Sequence, residues 1–399
     1  MMVFHRTRRN ATMTKKQIAL LVWPIILSPA CQGSIRGLAA IDGGPSRQDS
    51  AMDASSGNDA QAADATLADA GPEQDVPVPD AAIPDAASPD AAQTCQCGDN
   101  AYCDESTNTC HCLTGFTDDG NGNCQPDDPG DPAARSRDTM CTYWHSFHST
   151  TATSIWTPGQ DDCDPGTLST DAIADAVSYI NGYRYLCGLA PLADDADLNH
   201  SSQLCAIIEY RMGHLDHFPP SDAPCYTTEG ANAAGSSDLA LGTSSPASSV
   251  DLFMDDRGVQ SLGHRRWIIN PSYGPAGVGH AGTATCLYVF SWSNSGPTPD
   301  FVAWPNQGFT PISVMPHTWS FSSGTYGIST NTTVTVTRLS DNQTLDVTTS
   351  VPPTGYGQPA IAFTPSGWSP QADETYEVSI SGLGGGQTVV YQVKPVQCQ

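Results

Sequence analysis

Six of the chain's 14 cysteines fall between Cys95 and Cys124, in CQCGDNAYCDESTNTCHCLTGFTDDGNGNC, and no other feature restricts the possible folds so tightly. A stretch this short, with so few large apolar side chains, cannot build a core. Its fold has to come from cross-links that limit the unfolded ensemble. Disulfides presuppose an oxidising compartment, which also disfavours zinc at these paired cysteines.

The beginning of the chain gives a route to such a compartment. MMVFHRTRRNATMTKKQIALLVWPIILSPAC has basic residues (Arg6, Arg8, Arg9, Lys15, Lys16), a short apolar run from Ile18 to Leu27, and small residues Ser28 and Ala30 before Cys31. Residues 1–30 read as a secretory signal, too short to span a bilayer comfortably. Ser28-Pro29-Ala30 suits an ordinary signal peptidase. Cleavage before Cys31 would instead resemble the processing of a bacterial lipoprotein, with Cys31 as the lipidation site. Both routes stay open. Residues 31–94 are Ala, Asp, Pro and Ser with almost no large apolar side chain, ending in PDAA units, and read as an extended disordered linker. The formal charge of -26 excludes nucleic acid and anionic membrane surfaces as partners, because both bind basic patches. A membrane enters only through the lipid anchor.

Residues 125–166, another Pro/Asp-rich segment followed by Cys141, Trp144, Trp156 and Cys163, read as a linker and N-terminal extension. Ile173, Val177 and Ile180 recur at helical spacing after Ser169-Thr170-Asp171, predicting a helix from Asp171 to about Cys187. A second helix starts near Asp194 to Asp197 and keeps Leu198, Cys205, Ile208, Met212 and Leu215 on one face until His217-Phe218-Pro219-Pro220 breaks it. Gly- and Ser-rich loops follow, then a strand around Leu287, Val289 and Phe290. Between them lies Gly263-His264-Arg265-Arg266-Trp267, an imidazole between a glycine and two guanidiniums, followed by an apolar run to Ile269.

Two resemblances follow from these motifs. The C-x-C, Gly-Phe and Asp-Gly run of residues 95–124 resembles the epidermal-growth-factor-like module. That resemblance implies pairing of Cys95 with Cys103, Cys97 with Cys110 and Cys112 with Cys124; the calcium signature before Cys95 is missing. INGYRYLCGLAPL, YRMGHLDHFPP, TTEGANAAG and LGHRRWIINPSYGPAGVGH, in that order, resemble the CAP superfamily of cysteine-rich secretory, antigen 5 and pathogenesis-related proteins, in its bacterial branch. The family implies a three-layer α-β-α sandwich over residues 167–297, with a cleft where two histidines, His217 and His264 here, meet acidic residues. TTEGANAAG resembles the family's Gly-Glu-Asn loop, with Ala231 where that loop carries Glu. This leaves Glu229, Asp255 and Asp256 as the candidate carboxylates. Imidazoles with nearby carboxylates suit zinc and similar ions, but a site short of one carboxylate should hold a divalent cation such as zinc or magnesium weakly. The alternative for the motif is packing: histidines satisfying backbone groups, and Arg265 and Arg266 pairing with local aspartates. His214 reads as a surface residue.

Residues 298–399 alternate apolar and polar positions in short β-branched runs, with Val334 and Val336, then Tyr376, Val378 and Ile380, on one face. Six or seven strands imply an all-β, immunoglobulin-like sandwich. Trp304-Pro305 and Trp319 are expected at its junction with the central domain. Cys141, Cys163, Cys187, Cys205, Cys225, Cys286 and Cys398 are odd in number, so with Cys31 acylated one thiol is left unpaired or bridges two chains.

The chain is thus expected to be multidomain, and secreted or held at the cell surface as an outer-membrane lipoprotein. Its expected work is extracellular binding of a small apolar or lipid-like ligand or of a protein partner. The alternative is a metal-assisted hydrolase using His217 and His264, although no Gly-x-Ser-x-Gly or His-Glu-x-x-His occurs.

Overall fold

The computed structural model describes residues 39–41, 97, 100–104, 107–112, 115–120 and 123–398. The segment read as a secretory signal, Cys31 and nearly all of the stretch read as a linker lie outside the described residues. One piece of that linker departs from expectation: Ala39–Ile41 pairs antiparallel with Ser237–Leu241 as an added edge strand. Ala-Ala-Ile carries neither charge nor proline, which permits it to join a ladder.

In the cysteine module, one hairpin joins Ala101–Asp104 to Thr109–Cys112 and another joins Phe116–Asp118 to Cys124–Pro126. Cys97–Cys110 and Cys112–Cys124 are bridged, as the growth-factor-like resemblance implies. The remaining pairing, Cys95 with Cys103, falls outside the described residues.

The segment read as linker and extension contains a helix, α1 (Arg137–Phe147), started by the Ser136 side chain accepting from Thr139 N. Met140, Trp144 and Phe147 sit at i, i+4 and i+7, and all three are buried. Cys141–Cys398 then fixes α1 to the far end of the chain.

The central domain has helices on both faces of one sheet. Helices α2 (Thr170–Leu186) and α3 (Ala196–Met212) begin at Ser169 and Asp195, whose side chains accept from the first free N–H groups. Helix α3 ends earlier than expected, at Gly213 with φ 70°, so His217 lies on the loop beyond it. TTEGANAAG is not a loop but a helix, α4 (Thr228–Ala234), because Thr227 caps it by accepting from Gly230 N. The Gly/Ser-rich stretch that follows also holds a helix, α5 (Pro246–Asp255), nucleated by a capping box between Ser245 and Ser248 with Pro246 in the first turn. Helix α6 (Gly263–Ile268) carries the Gly-His-Arg-Arg motif.

The sheet runs Ala39–Ile41, Ser237–Leu241, Ala284–Tyr288, Gly277–Ala281. Ala240, Val278 and Leu287 turn one way, into a core with residues of α2, α5 and α6. Leu239, Ala281 and Cys286 turn the other way, towards α3 and α4. Gly277 and Gly279 let α3 lie directly on the sheet: a Cβ at Gly279 would stand 2.1 Å from Ser202 O. Cys205–Cys286 bridges the same layers, and Cys163–Cys225 closes the loop beside them.

The C-terminal part has more strands than expected. A four-stranded sheet (Val302–Trp304, Trp319–Ser322, Ala360–Pro365, Val347–Ser350) faces a five-stranded one (Gly308–Pro311, Gln387–Val396, Tyr376–Leu383, Thr333–Arg338, Gln343–Leu345). Between them pack Phe321, Val336, Phe363, Val378, Ile380 and Val393. Trp319 belongs to this inner core, against Phe363 and Tyr376, rather than to the junction. Trp304 does sit at the junction: its ring meets Tyr183 of α2 edge-on at 5.2 Å, and Val302 and Val396 join the same cluster. One apolar core therefore runs across the boundary expected near residue 298.

Candidate functional site

The motif residues of α2 serve the fold first. Asn181 holds the Leu192 peptide at both ends, donating to its carbonyl at 2.8 Å and accepting from its N–H at 2.9 Å. Arg184, fully buried, donates to the carbonyls of Ala190, Ile268 and Asn270. Those last two carbonyls close the end of α6, so Arg184 caps that helix from outside. Burial pulls the Arg184 guanidinium down to about 10, still a cation at neutral pH.

His264 lies in the first turn of α6 with no exposed surface, stacked on Phe253 of α5 at 5.2 Å between ring centroids. Its Nδ1 is 2.7 Å from Asp256 Oδ1. A carboxylate can only accept, so Nδ1 carries the proton and the tautomer is set. Asp256 reaches this position by leaving α5 in the left-handed region, φ 48°, which also lets its Oδ2 accept from Arg265 N at 3.2 Å. Of the two aspartates named from the sequence, Asp256 is thus the one that joins His264. Asp255 instead accepts from His317 N of the β-sandwich and pairs with Arg257.

His217 is buried at 8% exposure, and its Nδ1 lies 2.8 Å from Ala234 O at the end of α4. That ring, too, is a donor at Nδ1. Glu229 stands in the exposed first turn of α4 and accepts from the Ser201 hydroxyl at 2.8 Å. The structure thus brings His264 and Asp256 together and gives His217, Glu229 and Asp255 separate partners. Among the described residues there is no group of three or more His, Cys, Asp or Glu side chains that could hold a metal ion. His214 is exposed, as expected.

The two arginines of the motif donate to backbone carbonyls. Arg265, fully buried, donates to Met254 O at 2.9 Å, Asp255 O at 2.8 Å and Thr318 O at 2.7 Å. Arg266 donates to Ser261 O, Pro353 O and Gln358 O. Thr318, Pro353 and Gln358 belong to the β-sandwich, so both forks lock the two domains together. A guanidinium suits this because its donors fan out in one plane and meet several carbonyls at once. Nearby loops, not helix C-termini alone, supply those carbonyls. Burial lowers Arg265 to about 10, offset in part by Asp256 and Asp255.

Past the motif, Trp267 supports an aromatic ledge. Its ring lies 4.9 Å from Phe290, 5.4 Å from Trp292 and 6.2 Å from Tyr356, and Trp292 is 49% exposed. On the opposite flank of α5, His148, Asp251 and Tyr183 form a polar cluster that the sequence reading missed. Its members are far apart in the chain, and its first residue caps a helix that was itself unread. The cysteine count is resolved among the described residues: Cys187 is the one left unbridged, buried, with its thiol pushed up to about 12 by burial.

A family model described as the cysteine-rich secretory protein family, CAP, matches residues 177–293. No curated protein and no solved structure matches the chain.

Proposed function

Since the central domain belongs to the cysteine-rich secretory protein family, CAP, we propose that the chain is an exported binding protein that presents a small apolar or lipid-like ligand site at the cell surface. The observation that carries this reading is the aromatic ledge of Phe290, Trp292 and Tyr356 on Trp267, directly after the family motif. A half-exposed tryptophan backed by the rings of Trp267 and Phe290 retains apolar area in water, and such area marks a contact site. The rest of the motif is committed to architecture: the arginines to the domain junction, His264 to Asp256.

The cysteine count supports surface attachment. Ten cysteines are bridged and Cys187 is sealed. Of the remaining Cys31, Cys95 and Cys103, the growth-factor-like pairing uses the last two. Cys31 is then left for acylation. The hydrolase alternative gains no support, because His264 has no exposed surface for a substrate to reach.

The test uses a Cys31→Ser chain, so that an anchor does not mask binding, mixed with neutral phosphatidylcholine vesicles and followed by tryptophan fluorescence and co-sedimentation. Binding that falls at least tenfold in Trp292→Ala supports the ligand site. Binding that is absent, or unchanged in Trp292→Ala, refutes it.

A further inference from the structure

Strand Ser237–Leu241 would be the edge of the family domain's sheet if the domain ended with its own strands. Its inner side pairs with Ala284–Tyr288 without a shift of register, Leu239 faces α3 and α4, and Ala240 faces the core of α2 and α5. Edge strands are commonly guarded by proline, lysine, an exposed charge or a bulge. Ser-Asp-Leu-Ala-Leu has no proline or lysine, and its one charge, Asp238, is fully buried and presents nothing to an approaching strand. From Ser237 to Ala240 the strand is all but sealed from water. A buried backbone N–H or carbonyl without a partner costs about 1–3 kcal/mol, so the outer row of this strand has to be met by another segment.

The segment that meets it is Ala39–Ile41, antiparallel, with Ala39 opposite Leu241, Ala40 opposite Ala240 and Ile41 opposite Leu239. Residues 31–41 carry neither Asp nor Pro, and Asp42 begins the part of the stretch that does. The 55 residues from Asp42 to Gln96 can reach up to about 190 Å, ample for a return to Cys97. On the same chain the segment is present at an effective concentration on the order of millimolar, above that of a second copy in micromolar protein.

We propose that the outer edge of Ser237–Leu241 is a strand-docking site, that its occupant is this chain's own Ala39–Ile41 delivered in cis, and that docking sets the length of the tether behind Cys31. With the strand docked, seven residues (32–38) separate Cys31 from the sheet, about 30 Å at full extension. Undocked, 65 residues (32–96) separate it from Cys97, about 230 Å. The docking stands whether or not Cys31 is acylated; only the consequence at a membrane rests on the proposed attachment.

Hydrogen exchange of the full exported chain, followed by mass spectrometry over Ser237–Leu241, tests the docking. Successive N–H groups of a strand point to opposite sides, so Ala39→Pro/Ala40→Pro removes a donor that faces Ser237–Leu241 whichever of the two it is. Exchange should speed up about tenfold or more in this variant, with circular dichroism unchanged. A second Ala-Ala-Ile, at residues 81–83, supplies the control: Ala81→Pro/Ala82→Pro should leave the exchange as it is in the wild type. Equal exchange in wild type and Ala39→Pro/Ala40→Pro overturns the site. Equal acceleration by both pairs of substitutions, or protection that rises with protein concentration together with a dimer in light scattering, overturns the occupant. The tether is read separately, with an acceptor dye on the Cys31 thiol of the unacylated chain. Energy transfer from the tryptophans should fall about twofold or more in Ala39→Pro/Ala40→Pro, and equal transfer overturns the tether.

Discussion

Replacing Arg265 with alanine tests the claim that the motif arginines are structural. The side chain is fully buried and donates to three backbone carbonyls, at 2.9, 2.8 and 2.7 Å, with Ser320 Oγ a longer fourth contact at 3.3 Å. Each buried carbonyl left without a donor costs about 1–3 kcal/mol. Three of them set a gross loss of about 3–9 kcal/mol, to which the cavity adds and from which the relieved desolvation of a buried guanidinium subtracts several. A net loss of about 3–5 kcal/mol is expected, or roughly 10 °C in Tm. Urea unfolding followed by both tryptophan fluorescence and far-ultraviolet dichroism measures it. The two probes should coincide in the wild type and separate in Arg265→Ala, because the variant releases the β-sandwich from α5 and α6. Arg257→Ala is the control: its pair with Asp255 is exposed, and its removal should cost under about 1 kcal/mol. A loss below about 1 kcal/mol in Arg265→Ala, with coincident probes, would refute the clamp.

Asp256→Ala should cost about 2–4 kcal/mol, because it strips the His264 ring and the Arg265 N–H of one shared acceptor; denaturant midpoints check this. Glu209 and His280 should set the pH range of stability. Burial raises Glu209 from 4.5 to about 8, so the folded state favours its neutral form, and stability is full below about 4.5 and declines as pH rises towards 8. Burial lowers His280 from 6.5 to about 4, so stability declines as pH falls from about 6.5 to 4. These two groups together place the optimum between about 4.5 and 6.5, and Glu209→Gln should flatten the alkaline limb of a melting-versus-pH curve. Removing the Cys141–Cys398 bridge by a double alanine substitution should cost about 2–5 kcal/mol, read from the same unfolding curves.

Much of the fold was legible where a local signal and the tertiary structure agree. Ser169 and Asp195 cap the two helices they announce, and Tyr376, Val378 and Ile380 alternate into the sandwich core as their spacing requires. Helices α1 and α5 were obscured by proline, serine and aspartate around them, although Ser136 and the Ser245–Ser248 box are start signals that could have been read. Ala231 and Asn232 read as loop residues because TTEGANAAG resembles the family's Gly-Glu-Asn loop. In the structure Gly230 is instead where α4 passes close to Leu204 O, a contact visible only once α3 and α4 are packed. The site was less legible than the fold. Nearby aspartates made side-chain pairing a reasonable expectation for Arg265 and Arg266, whereas the acceptors observed are backbone carbonyls, some local and some in the β-sandwich, more than fifty residues away for Thr318.

The core shared by α2 and the β-sandwich bears on how the molecule would be dismantled. Tyr183, Trp304, Val302 and Val396 belong to one core that spans the two domains, so a cut in the largely exposed connection at residues 292–300 would not by itself part them. Limited digestion should therefore leave one resistant unit in which the two domains stay associated, released together or not at all.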